Sequence, residues 1–179
     1  MLAYGRAQEP VPARRRLRLA QLVEEVHGLL GIEPSGGIEF VNAVSPDFEV
    51  DGDPEQLFRV LMNLSRNALQ AMAADRESAV VRRLVISAER SGSIARVLVA
   101  DTGPGLPAKA RQNLFAAFRG SARAGGTGLG LAIAYELARA HGGSLELVES
   151  VGGRTVFALT IPDQPLNLAD ARNALRRPA

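Results

Sequence analysis

Cysteine and tryptophan are absent from the 179 residues, lysine occurs once, at Lys109, and histidine twice, at His27 and His141. Without cysteine there are no disulfides and no thiolate metal sites, which suits a reducing compartment. Aromatic residues make up only 4% of the chain, so the core must be aliphatic. No apolar run approaches the roughly 18–20 residues that cross a bilayer, and MLAYGRAQEP at the N-terminus lacks a signal-peptide core. These absences predict a cytoplasmic protein with no membrane contact. The formal net charge is +2, close to balanced. The single basic cluster, ARRRLR over 13–18, has no interleaved aromatics and reads as a solvated segment rather than a nucleic-acid surface.

What remains is a chain long enough for one domain with a sizeable core. Residues 1–12, with Gly5, Pro10 and Pro12, have no clear period and read as a linker or the tail of a preceding element. From Leu19, the spacing of Leu22, Val23, Val26 and Leu30 predicts a helix that stops at Gly31. Short strands are expected over 38–44 and 48–53. Asp53 as N-cap, Pro54 at the first helical position and Glu55 in the first turn predict a long helix to about Ala74. Strands over 83–90 and 94–101 flank the hairpin chemistry of ERSGSI. A short helix near 108–117 and a helix over 129–143 follow, then a hairpin of 144–150 and 154–162 around Gly152 and Gly153. The tail 163–179 is expected to be partly helical. Adjacent pairs of strands argue against a parallel βαβ sheet. They predict an α+β two-layer sandwich, a mixed and mostly antiparallel sheet with helices on one face.

Three stretches can carry chemistry. In MNLSRNALQA, Asn63 and Asn67 lie four residues apart and so share a helix face. They are either partly buried amides bonded to backbone, or carbonyl oxygens aimed at a hard cation. Mg²⁺ accepts such oxygens while keeping waters and substrate phosphates as its other ligands. In VADTGPGLP a strand ends at Asp101, beside Gly103 and Gly105. The carboxylate can accept a charge-assisted bond from a ligand amino group, or the stretch is a plain surface turn. In GGTGLGLAIA, Gly125, Gly126, Gly128 and Gly130 open a helix, and such an N-terminus can cradle phosphate. The stretch is neither a Walker A loop nor a dinucleotide fingerprint.

In this order the three resemble the ATP-binding superfamily of gyrase, the mismatch-repair ATPase, the chaperone ATPases and the sensor histidine kinases. The kinase branch fits best. NLSRNA is similar to its N box, DTGPG to its first glycine box, LFAAFRG (114–120) to its phenylalanine box, and GTGLGLAIA to its second glycine box. The resemblance covers about residues 17–162 and implies the Bergerat-type ATP-binding fold. Residues 1–16 would then be a linker or the end of a dimerisation hairpin, and 163–179 a C-terminal tail. It also implies ATP and Mg²⁺ as cofactors, with Asn67 as metal ligand and Asp101 as adenine anchor. Asn63, Asn67 and Arg119 would be the catalytic set. Gly103, Gly105, Gly126, Thr127, Gly128, Leu129 and Gly130 would line the nucleotide, with Thr155 in the adenine water network. Residues 106–127 would form a lid, anchored through Phe115 and Phe118. Arg119 and Arg123 either reach the γ-phosphate or are solvated lid charges.

Two departures stand out. Gln70 replaces the basic residue that many kinases carry three positions after the second asparagine. No phosphoacceptor is evident either: His27 lies inside a helix and His141 at a helix end, both structural positions. The resemblance therefore implies a catalytic domain that acts on a histidine of a dimerisation domain, in cis in a longer chain or in trans. A response regulator would lie downstream, and the isolated domain is expected to be a monomer. An amide at Asn63, where the water-splitting branch has a glutamate, implies little hydrolysis, since an amide cannot act as base. Two rivals are a degenerate partner-docking module and a serine kinase of the anti-sigma type.

Overall fold

A computed structural model of the chain describes residues 10–33, 36–74, 81–112, 114, 115 and 129–164. Along them the order is β1 (Arg15–Arg18), α1 (Leu19–Leu30), β2 (Ile38–Ala43), β3 (Glu49–Gly52), α2 (Pro54–Ala74), β4 (Arg82–Ser91), β5 (Ile94–Asp101), α3 (Ala108–Gln112), α4 (Gly130–Ala140), β6 (Ser144–Val151) and β7 (Arg154–Pro162).

The main sheet has the order β2-β4-β5-β7-β6. Only β2 and β4 run parallel; the other pairings are antiparallel. This is the mixed, mostly antiparallel sheet expected of an α+β sandwich. Period-two burial shows which face is covered. On β5, Ala95, Val97, Val99 and Asp101 are buried, whereas Arg96, Leu98 and Ala100 between them are half-buried. The covered face packs against stripes from α1 (Leu19, Leu22, Val23, Val26), α2 (Leu57, Val60, Leu61, Leu64, Ala68) and α4 (Ala134, Leu137, Ala138). Phe157 is the largest side chain of this otherwise aliphatic core that is almost fully buried.

Local chemistry explains the helix ends. The Asp53 carboxylate caps α2 by accepting the N–H groups of Glu55 and Gln56 at 3.0 and 3.1 Å, two of the amides that a helix start leaves unsatisfied. Gly31 ends α1 with φ 67°, a conformation that favours glycine. At the end of α4, Gly142 takes φ 74°. Its N–H bonds to Arg139 O at 2.8 Å and that of Gly143 to Ala138 O at 3.0 Å, which is a Schellman motif. α3 is shorter than the helix expected near 108–117. The tail from 165 onward lies outside the described residues.

In the basic cluster Arg15, Arg16 and Arg18 are exposed, as a solvated segment would be, but residues 15–18 also form β1, which was not expected and which pairs antiparallel with β3 in a separate two-stranded sheet. Arg14, just before β1, differs from the arginines of the strand. Arg16 stands in solvent, its side chain 60% exposed, while that of Arg14 is 8% exposed. The Arg14 guanidinium donates to His141 O at 2.8 Å, to Asp51 O at 2.7 Å and to Pro162 O, and its Nε lies 3.6 Å from the Asp51 carboxylate. One side chain therefore ties β1 to the end of α4, to β3 and to the end of β7. His141 is buried and structural, as expected: its Nδ1–H donates to Leu137 O and its Nε2 accepts the Asp53 N–H.

Candidate functional site

The sheet changes character at one end. Going along the covered face, the cross-strand rung Val97–Leu159–Leu145 is apolar, and so is Val99–Phe157–Leu147. The next rung is Asp101–Thr155–Ser150, three buried polar residues on neighbouring strands. Buried polar groups without partners are costly, so this rung marks a place where packing has yielded to another requirement.

Asp101 closes β5, and its Oδ1 accepts the Gly103 N–H at 2.8 Å. A Cβ at Gly103 would sit 2.7 Å from that oxygen, 3.4 Å from Ala71 Cβ and 3.5 Å from Met72 Cγ. Glycine is required here because the backbone is wedged between the carboxylate and the last turns of α2. Thr102 fastens the same loop: its Oγ1 accepts the Arg83 N–H and donates to Val81 O. Gly105 has φ 83°, and a Cβ there would lie 3.0 Å from Val151 O. The first glycine box is thus fixed on both sides.

The second glycine stretch is described only from Leu129. Leu129 precedes α4 without a side-chain cap, and no acidic residue stands in the first turn. A helix start of this kind leaves N–H donors without intrahelical partners and carries partial positive charge, and both attract anions. Asn63 of α2 lies against it, its Oδ1 3.3 Å from where a Gly130 Cβ would be. Asn63, Asn67 and Ala71 follow at spacings of four on one side of α2. With a rise of about 1.5 Å per residue, the stripe covers about 12 Å. It runs from the second glycine stretch, at Gly130, to the first, at Gly103. Both asparagines are half-buried, with Asn67 midway between the two glycine sites.

Of the predicted site residues, the fold thus gathers Asp101, Thr155, Gly103 and Gly105 at one end of the stripe, and Asn63, Leu129 and Gly130 at the other. Gly126, Thr127, Gly128, Arg119, Arg123 and Phe118 lie outside the described residues. Phe115 stacks on Tyr135 of α4 with ring centroids 4.9 Å apart, a packing contact as expected. Among the described residues no three His, Asp or Glu side chains gather as a metal cluster, and no helix is long and apolar enough to cross a membrane. Sequence reasoning missed Ser150. The signal was present: counting outward from the Gly152–Gly153 turn pairs Val151 with Arg154 and Ser150 with Thr155.

The chain is similar to known proteins. Residues 52–165 match the family described as histidine kinase-, DNA gyrase B-, and HSP90-like ATPase. The sensory histidine kinase/phosphatase NtrB of Salmonella typhimurium is 36% identical over 148 residues, which is 79% of this chain and 42% of that protein. The chain therefore spans under half the length of such curated relatives. Full-length ShkA in complex with AMPPNP superposes with a TM-score of 0.71 at 29% identity, over 88% of this chain and 32% of that one. The histidine kinase ThkA in complex with the response regulator TrrA gives a TM-score of 0.69 at 26% identity, over 90% and 45%. The chain belongs to the histidine kinase-, DNA gyrase B- and HSP90-like ATPase family, and within it to the ATP-binding domains of sensor histidine kinases.

Proposed function

We propose that this chain binds Mg-ATP and presents the γ-phosphoryl group to a histidine on a dimerisation domain. The observation that carries the reading is the stripe on α2, which sets Asn67 between a buried carboxylate rung and an uncapped helix start. The residues fit the nucleotide. Asp101 suits the amino group of a base, glycine backbone at 103 and 105 leaves room beside it, and the start of α4 suits phosphate oxygens. They also fit a hard cation, since Asn67 offers an amide oxygen and Mg²⁺ takes its remaining ligands from water and phosphate. When bound, the cation would neutralise charge on the phosphates.

In the reaction the bond between the γ-phosphorus and its bridging oxygen breaks as a bond to an imidazole nitrogen forms. ADP leaves, and the imidazole proton passes to solvent. A neutral imidazole supplies its own lone pair, so this chain needs no strong base, and Asn63 offers none. Its part is to hold the nucleotide, orient it and keep water from the phosphate. The complex of ThkA with TrrA supports a response regulator as the downstream partner.

The test is calorimetric titration of the 179-residue chain with Mg-ATP, with Asp101→Asn as control. Micromolar-to-millimolar binding that weakens at least tenfold in the variant supports the reading, and no binding by the wild type overturns it. Rapid hydrolysis with no histidine substrate present would sink the kinase assignment and leave an ATPase.

A further inference from the structure

Ser150 is a polar residue brought inward by an irregularity. Pairing of β6 with β7 shifts register between Leu147 and Glu149. Strict alternation from Leu145 and Leu147 would turn Glu149 and Val151 toward the helices. The extra residue, Val148, is half exposed, and beyond it the alternation resumes in the opposite phase. Ser150 is therefore only 8% exposed and lies beside Thr155. Its Oγ accepts the Leu106 N–H at 2.7 Å. Leu106 directly follows Gly105, whose backbone is pressed against Val151 O. Just beyond, Pro107 O accepts the N–H of Ala110 and α3 begins. The hydroxyl thus holds the chain at the point where it leaves the first glycine box.

We propose that Ser150 is a positioning residue for nucleotide binding. It pins Leu106, and through Leu106 it fixes the Gly103–Gly105 wall beside Asp101 and Thr155. The inference rests on the nucleotide-binding reading above and assigns one hydroxyl to it. Ser150 touches no nucleotide in this scheme; it acts through the Leu106 amide. The β-bulge exists to deliver that hydroxyl, since an unbulged β6 would face Leu106 with Glu149 or Val151 instead.

Calorimetric titration with Mg-ATP of the wild-type chain, Ser150→Ala and Ser150→Thr tests it, together with hydrogen exchange at the Leu106 amide. Ser150→Ala is expected to raise the dissociation constant five- to tenfold and to speed Leu106 exchange. The β5 amides should keep their protection, and Ser150→Thr, which retains the hydroxyl, should bind within about twofold of the wild type. A merely structural role would lower the urea midpoint without moving affinity of the folded protein. Wild-type binding with Ser150→Ala unchanged would overturn the inference while leaving the nucleotide reading intact. Equal loss in both variants would show that packing matters and not the hydroxyl, which also overturns it. Absence of wild-type binding removes the nucleotide reading, and this inference with it.

Discussion

Replacing Arg14 with alanine should be among the most damaging single changes on this surface, although Arg14 lies in a run of arginines. Its guanidinium donates to three backbone carbonyls, those of His141, Asp51 and Pro162, and faces the Asp51 carboxylate. Bonds from a charged donor are worth about 1.5–3 kcal/mol each before the donor's own desolvation is counted. Truncation removes that desolvation as well and lets water reach part of the exposed carbonyls, so about 1 kcal/mol per bond is the better figure. Asp51 keeps a second contact, because its Oδ2 accepts the Gln164 N–H at 2.8 Å, which limits the penalty for leaving a carboxylate behind. The sum is about 3 kcal/mol, at the low end for breaking a buried pair. In a domain of this size it corresponds to a fall in Tm of roughly 6–12 °C. Urea unfolding followed by circular dichroism measures it, with Arg16→Ala as the comparison. Among the described residues Arg16 reaches only Asp163, at 3.7 Å, from a side chain that is 60% exposed, and its loss should stay within about 0.5 kcal/mol. If the two variants unfold at the same urea concentration, the assignment of Arg14 as the tie between β1, α4 and β7 is wrong.

Further expectations concern His141, Asp53 and two glycines. Burial holds the His141 pKa below its ordinary value and the Arg14 charge adds to this, although the Leu137 carbonyl, Asp53 and Asp51 pull the other way. The folded state then binds fewer protons than the unfolded state between that lowered value and 6.5, so stability rises with pH across the window. It is complete above 6.5 and is lost as pH falls through the folded value, by at most about 1.4 kcal/mol per pH unit. Urea midpoints at pH 7.5 and 5.5 should differ accordingly. His141→Asn should be less stable at pH 7.5 but show a shallower dependence; an equal slope in both proteins would refute the origin. Asp53 acts in a separate and more acid window. Burial raises its pKa, but the N–H groups of Gln56, Ala13 and Glu55, and then His141, outweigh this and hold it below 3.8. Gly143→Ala places a Cβ 1.8 Å from Thr160 O and should destabilise by about 3 kcal/mol or more, because the turn from α4 into β6 must move off β7. Gly28→Ala, in α1 with nothing within 4 Å, should instead stabilise by about 0.5–1 kcal/mol; a similar loss in both would rule out the steric explanation.

Features governed by neighbours in sequence were legible before any coordinates. The Asp53 cap, the Gly31 stop, the two-residue turns at Gly92–Ser93 and Gly152–Gly153 and the apolar stripes of α1, α2 and α4 all follow from local chemistry. Pairing Asp101 with Thr155 needed more, since the two lie on strands separated by α3, α4 and β6; the family resemblance supplied it. β1 was missed because nothing near it announces a strand. Its stabilising partners are remote: Ala13 donates to the Asp53 carboxylate 40 residues on, and Arg14 reaches Pro162, 148 residues on. A run of arginines reads as solvated until a buried acceptor set is known to face one of them. The bulge at Val148 was hidden for a related reason, because Leu145, Leu147 and Ser150 fit no single period.

The position of the candidate site also follows from energetics. α2 and α4 run in opposite directions, and each has one end at the Arg14 knot. The start of α2 is held by Asp53, which also receives Ala13, and the end of α4 by His141. Their other ends flank the glycine boxes, Met72 beside Gly103 and Gly130 beside Asn63. Between the two ends the sheet presents apolar rungs to both helices. Those rungs and the Arg14 knot supply enough stabilisation for the last rung to be polar and its loops glycine-rich. Local rules are broken where chemistry needs them broken, and the remainder of the fold compensates. A change at Asp101, Thr155 or Ser150 should therefore register chiefly in ligand binding. A change at Arg14 or Gly143 should register chiefly in stability, and a variant of either group that did the reverse would contradict this division of the sheet.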